Sequence, residues 1–159
     1  MSEETTCYAA EVWIDGKKAG WASNEGHGGC DSIQPNTLRD LLNDHAKATL
    51  PIRKFHGTEI EPNAETLINK LLEDWEVRKA YDSDLKKNVL YTKTASDGTI
   101  YQSKIKRKLS NGQTKIFPID QICSFLKEKG FVIDGKILNL LPYEEGLCLY
   151  KSAVFPNAH

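Results

Sequence analysis

Ser23 to Cys30 read SNEGHGGC and gather a carboxylate, a histidine, three glycines and a thiol. Three chemistries could use them. The backbone N–H groups of Gly26, Gly28 and Gly29 could cradle an anion if they converged beside a helix N-terminus. A strand precedes them and a helix follows, but an irregular stretch to Asn36 intervenes, and neither the Walker lysine pattern nor the dinucleotide glycine spacing is present. His27 and Cys30 could supply two zinc ligands. The remaining candidates, Cys7, His45, His56, Cys123, Cys148 and His159, are scattered, with no second close pair to complete a tetrahedral set. Cys30 could act as a nucleophile with a histidine as base, and Glu25 or Asp31 could join an acid–base scheme, yet no catalytic motif accompanies them. No metal, cofactor or catalytic residue is assigned. The expectation is that Gly26, Gly28 and Gly29 take positive φ angles and reverse the chain beside a solvated His27 and a partly buried Cys30. Ligand binding or catalysis at residues 25 to 31, through Gly26, His27, Gly28 and Gly29, stands as the alternative.

The charge layout carries a second chemistry. The net charge is −1. Residues 1 to 85 hold 9 Lys/Arg against 16 Asp/Glu, whereas residues 86 to 115 hold 8 Lys/Arg against Asp97 alone. Fields segregated in this way act on encounter and partner choice rather than on fold. In an extended chain, Gln102, Lys104, Lys106 and Lys108 point to one face. Tyr101, Ser103, Ile105, Arg107 and Leu109 point to the other, with Tyr101, Ile105 and Leu109 expected on the core. The lysines would form a ridge about 13–14 Å long at roughly 3.4 Å per residue, extended by Lys93 and Lys115. Lysines also blunt exposed sheet edges, and the ridge could pair with the acidic first half of the chain. Otherwise it meets an anionic partner, either a host protein or the backbone of a nucleic acid. Tyr91 and Tyr101 are the aromatics near enough to stack on bases.

These residues need elements to hold them. Two strand-like runs flank Asp15-Gly16, the turn pair that suits a tight hairpin. Tyr8, Ala10, Val12 and Ile14 share its inner face, and Trp13 and Trp21 are expected on the outer one, as packed hairpin aromatics or as interface anchors. Leu38, Leu41, Leu42 and His45 predict a helix capped by Asn36 and ended by Pro51, with His45 inside. Leu67, Ile68, Leu71, Leu72 and Trp75 predict a second helix from near Asn63, with Trp75 in the core. The segment from Val89 reads as a hairpin on Asp97-Gly98, with TKIF as the third strand of a meander. A helix from Asp120 to Lys129, burying Ile122, Phe125 and Leu126 and stopped by Gly130, should follow. FVIDGKIL is expected to be a short hairpin, and LCLYKSAVF a last strand. Cys123 and Cys148 read as buried, reduced thiols.

Together these elements predict an α+β fold. Antiparallel sheet from hairpins and a meander carries three or more packed helices, in one domain, 1–159, with 51–62 as the candidate seam. No apolar run reaches the roughly 20 residues that span a bilayer, and MSEETT lacks a signal-peptide pattern, so the expected setting is cytoplasmic. Formation of a homo-oligomer is left open. Val12 to Cys30 and Asp82 to Lys93 (DSDLKKNVLYTK) resemble small proteins encoded by phages and other mobile elements, in which a DG hairpin leads into a glycine-rich stretch. That resemblance implies no catalytic residues. It implies an accessory protein that binds and blocks a host macromolecule, as an inhibitor or counter-defence factor. Its contacts would be Lys93, Lys104, Lys106, Lys108, Lys115, Trp13 and Trp21. Non-specific nucleic-acid binding through the same basic face is the other reading.

Overall fold

The computed structural model describes residues 6–156. It is an α+β fold of helices and small antiparallel sheets. In order, the elements are β1 (Tyr8–Ile14), β2 (Lys17–Asn24), β3 (Ser32–Gln34), α1 (Asn36–Thr49), β4 (Arg53–Phe55), β5 (Thr58–Ile60), α2 (Ala64–Lys87), β6 (Asn88–Tyr91), β7 (Tyr101–Lys104), β8 (Lys106–Lys108), β9 (Thr114–Ile116), α3 (Ile119–Glu128) and α4 (Tyr143–Val154). The chain divides into two compact units, one up to Leu72 and one from Glu73, with the boundary inside α2. None of the described helices is long and apolar enough to cross a membrane.

In the first unit β1 and β2 pair around Asp15 (φ 50°) and Gly16 (φ 74°), the two left-handed residues a tight hairpin requires. β3 pairs antiparallel with β2. Tyr8, Val12 and Ile14 pack on a core of Ala22, Ile33, Leu38, Leu42, Ala46, Ala64, Leu67 and Ile68. α1 starts at Asn36 itself, after Pro35, so Asn36 is a helical residue and not the cap. Its buried stripe is Leu38, Leu42 and Ala46, while Leu41 and His45 are exposed. Ala46 lets the helix approach closely, and leaving the His45 imidazole in water avoids the cost of burying a polar ring. The segment expected as a connector forms the β4–β5 hairpin on His56 and Gly57, with every strand residue exposed.

The second unit has its own core. All four residues of β6 are buried, and β6 pairs with β7. Val89, Tyr91, Ile122, Cys123, Leu126, Val132 and Ile137 form one cluster. Val77, Tyr81, Leu90, Leu138, Leu147 and Tyr150 form another. α3 ends as expected, with Gly130 at φ 70° and the Gly130 and Phe131 N–H groups closing on Lys127 O (3.1 Å) and Leu126 O (2.9 Å).

Several sequence expectations fail here. LCLYKSAVF is not a strand. It lies in α4, where Pro142 precedes the first turn, Glu144 and Glu145 sit at its positive end, and Lys151 lies near its negative end. Short apolar runs do not separate strand from helix, and here Leu147 and Tyr150 bury at helical spacing. FVIDGKIL forms no hairpin. Gly135 runs against the Thr92 backbone, where any Cβ would collide, and only Tyr91 and Ile137 bridge as strand residues. Trp75 and Phe125 are exposed rather than buried, at 56% and 45%. Leu109 is off the core at the hairpin turn. Cys148 and Cys30 are exposed, and only Cys123 is the buried thiol expected.

Candidate functional site

Residues 101 to 117 build the basic surface, all within the second unit. Alternation in β7 buries Ser103, half-buries Tyr101 and leaves Gln102 and Lys104 in solvent. At half-buried Ile105 the chain bends and changes partner. The Ile105 N–H donates to Lys87 O (2.9 Å), and its carbonyl accepts from the Phe117 N–H (2.9 Å). TKIF is therefore not a third strand on β6–β7. It pairs with β8 in a hairpin of its own, closed at Leu109 N–H to Gln113 O (2.8 Å) with Gly112 at φ 82°.

Register sorts the cations. Lys106 stands opposite Ile116, Arg107 opposite Lys115, and Lys108 opposite Thr114. Directly opposed residues share a face, so Lys106 and Lys108 lie together, with Lys104 exposed just before them. Arg107 and Lys115 lie on the other face, so Lys115 does not lengthen the Lys106/Lys108 ridge. Like charges directly opposite are destabilising, and no carboxylate among the described residues forms an ion pair with either. Their relief is Phe117, whose ring lies 5.7 Å from the Arg107 guanidinium and 4.9 Å from the Lys115 ammonium. Arg107 also donates to Ser103 Oγ (2.9 Å). Lys104, Lys106 and Lys108 likewise have no ion-pair partner among the described residues. Lys93 sits apart, over the Tyr101 ring at 4.2 Å. It is close to Asp97, whose carboxyl is held below the usual range first by the Thr99 backbone N–H and further by Lys93.

The sequence reading missed the apolar floor beside the hairpin. Arg107, Phe117, Gln121, Ile122 and Phe125 line an open groove of about 290 Å³. Phe125 stacks on Phe131 at 6.2 Å between centroids. The signal was present: Phe125 follows Gln121 and Ile122 at helical spacing, so a half-exposed aromatic edge on α3 was available to be named.

The glycine-rich stretch is organised by its neighbours. Asn24, buried at the end of β2, donates from Nδ2 to Gly29 O (2.9 Å) and Asp31 Oδ1 (2.8 Å), and its Oδ1 accepts the Gly26 N–H (2.8 Å). Gly26 and Gly28 are left-handed at φ 81° and 78°, as expected, but Gly29 is not. One donor of any anion cradle is thus occupied within the turn. Glu25, His27 and Cys30 are exposed. Among the described residues, no three His, Cys, Asp or Glu side chains gather as a metal site. Asp31 is buried, with its carbonyl held by Arg39. Its Oδ2 and the Tyr8 hydroxyl lie buried without a well-formed hydrogen bond. Burial, and then Asp31, push the Tyr8 hydroxyl well above its usual range. An asparagine two residues ahead of a glycine is the signature of such a side-chain-closed turn.

On the outer face of the first hairpin, Trp13 and Trp21 are 58% and 51% exposed. They do not pair with each other. The register places Glu11 opposite Trp21 and Lys18 opposite Trp13. Lys18 covers the Trp21 ring at 3.9 Å and bonds Glu11 at 2.9 Å, and Glu11 also accepts from Trp13 Nε1 at 3.1 Å. Lys18, then Trp13, lowers the Glu11 carboxyl pKa. No protein family matches this chain, and neither does any curated protein or solved structure.

Proposed function

We propose that the chain is a small binding protein that docks on an acidic surface of a partner protein through the β8–β9 hairpin. In keeping with its phage-like resemblance, it acts by occupying that surface. One observation carries the reading. Arg107 and Lys115 stand directly opposite each other, with Lys106 and Lys108 on the other face of the same hairpin, and among the described residues no carboxylate is in an ion pair with any of them. A fold gains nothing from that arrangement alone; an incoming anionic surface does. Protein is favoured over nucleic acid because the rings of the basic segment itself are covered. Phe117 carries two cations, Tyr101 carries Lys93, Tyr91 is buried against Tyr101, and the half-exposed Phe125 beside them already stacks on Phe131. The exposed Trp13 and Trp21 provide a second contact surface in the first unit.

The test is capture from host lysate with and without nuclease treatment, comparing the native chain with a Lys106→Glu, Lys108→Glu, Lys115→Glu triple variant that reverses cations on both faces of the hairpin. A salt-sensitive protein partner is expected to be retained by the native chain and weakened at least about tenfold by the variant, with an unchanged melt. Equal retention by both, or capture that disappears with nuclease, overturns the reading.

A further inference from the structure

The groove beside the hairpin restricts what the acidic partner must present. We infer that it receives one aromatic or branched aliphatic side chain from a partner segment that also carries a carboxylate within reach of Arg107. This rests on the binding reading above and names the segment that the same surface takes. Three features argue for it. The floor is apolar: Ile122 is 5% exposed, and Phe117 is packed on the core with its ring beneath two cations. The wall is Phe125, 45% exposed and stacked on Phe131, with Gln121 the polar residue beside it. Finally, the rim is cationic, and Ser103 holds the Arg107 guanidinium in place, with no carboxylate paired to it among the described residues.

Size narrows the occupant. Cofactor and drug-sized sites run from about 300 to 1,000 Å³ and enclose most of the ligand. The groove, about 290 Å³, is at the bottom of that range and open to solvent on one side, so it encloses one side chain of a longer segment rather than a whole ligand. Charge complementarity decides the rest. The residues from Glu73 onward carry 14 Lys/Arg against 11 Asp/Glu, and the cations nearest the groove are the unpaired ones. A purely apolar segment would leave Arg107 and Lys115 uncompensated. A purely acidic one would leave the Phe117–Ile122–Phe125 surface wet. An acidic segment with one apolar anchor satisfies both, in the manner of a buried hot spot inside a polar rim.

Selection of random dodecamer peptides displayed on particles tests this with the intact chain as bait. Native protein should enrich peptides carrying Asp or Glu beside Phe, Trp or Leu. Phe125→Ser, whose side chain is half in solvent, should still enrich acidic peptides but lose the apolar anchor. The best native peptide should bind that variant at least about tenfold more weakly, the scale of a lost anchor. Lys115→Glu, which reverses the cation opposite Arg107, should weaken all acidic peptides alike. If native protein enriches acidic peptides without an anchor, or Phe125→Ser changes nothing, the groove inference fails while the acidic-partner reading stands. If native protein enriches no acidic peptides, both fail. Circular dichroism melts of each variant show that the bait is folded, and Phe125→Leu, which keeps an apolar wall, should retain the anchor preference.

Discussion

Gly20 is the position where β2 comes closest to the start of α1. A Cβ built there would collide with the Gln34 carbonyl and the Leu38 side chain. Beside it the hairpin register slips, from Val12 opposite Gly20 to Trp13 opposite Lys18, so that Ala19 is the extra residue of a bulge. That slip, and not simple alternation, sets Lys18 and Trp21 around Glu11. Replacing Gly20 by alanine should destabilise the protein by about 1–3 kcal/mol, since overpacking forces the backbone to move. Gly29→Ala, which meets open space, should stay within about 0.5 kcal/mol of native. Calorimetric melts of the two variants check this, and equal midpoints would show that the close approach is not tight. A glycine inside a strand pattern suggests such an approach from sequence alone. What it approaches is a long-range fact.

Helix α2 shows how one element serves two cores. Its first part buries Ala64, Leu67 and Ile68, and its later part buries Val77 and Tyr81. Val77 and Tyr81 do not fall on the helical spacing that joins Leu67, Leu71 and Trp75. The stripe read from the sequence therefore runs out of the core, and Leu71 and Trp75 are left 57% and 56% exposed. Lys79 then covers the Trp75 ring at 4.5 Å. α4 meets α2 through Gly146, where any side chain would strike the Tyr81 hydroxyl. The contact gathers Tyr81, Tyr143 and Tyr150, with the Tyr150 hydroxyl donating to Asp84 at 2.6 Å and Tyr143 to Asp82 at 2.9 Å. Burial raises all three phenol pKa values, with nearby carboxylates adding at each: Asp84 at Tyr150, and Asp82 at Tyr143 and Tyr81. A group whose folded pKa lies above its unfolded value, about 10 for tyrosine, keeps its full contribution below that pH and loses it as pH climbs toward the folded value. On the account of these phenols, melting midpoints should hold from neutrality to about pH 9 and fall above about pH 10. Tyr150→Phe should cost about 1.5–3 kcal/mol near neutrality, the scale of a hydrogen bond to a charged group, and should make the alkaline fall shallower. An unchanged alkaline slope in that variant would refute the role given to Tyr150.

At the scale of the whole molecule, the chain carries one core cluster in the first unit, two in the second, and an uneven charge. Residues up to Leu72 hold 7 Lys/Arg against 11 Asp/Glu, and the excess of cations lies beyond. Each core closes within its own unit: Ala22, Ile33 and the α1 stripe in the first, β6 with α3 and α4 in the second. Cores that do not share residues should open independently. Leu42→Ala should therefore accelerate amide exchange mainly in β1 to α1, and Leu126→Ala mainly in β6, β7 and α3. Hydrogen exchange read by mass spectrometry checks both, and uniform loss of protection across the chain in either variant would refute two cooperative units.

Local chemistry was legible in the sequence wherever the chain makes its own decision over a few residues. Asp15-Gly16 called for left-handed turn residues, Gly130 for a helix stop, and the alternation from Tyr101 to Ile105 for one buried face. The density of lysine and arginine between residues 86 and 115 was likewise visible before any fold. Only the tertiary structure decided which apolar stripe was covered, because periodicity offers a helix a face but not a partner to cover it. That is why Ala46 is interior while Leu41, Trp75 and Phe125 are not. It also decided that the cations near Phe117 stand opposed and unpaired, since cross-strand register and the reach of distant carboxylates arise from contacts far apart in the chain.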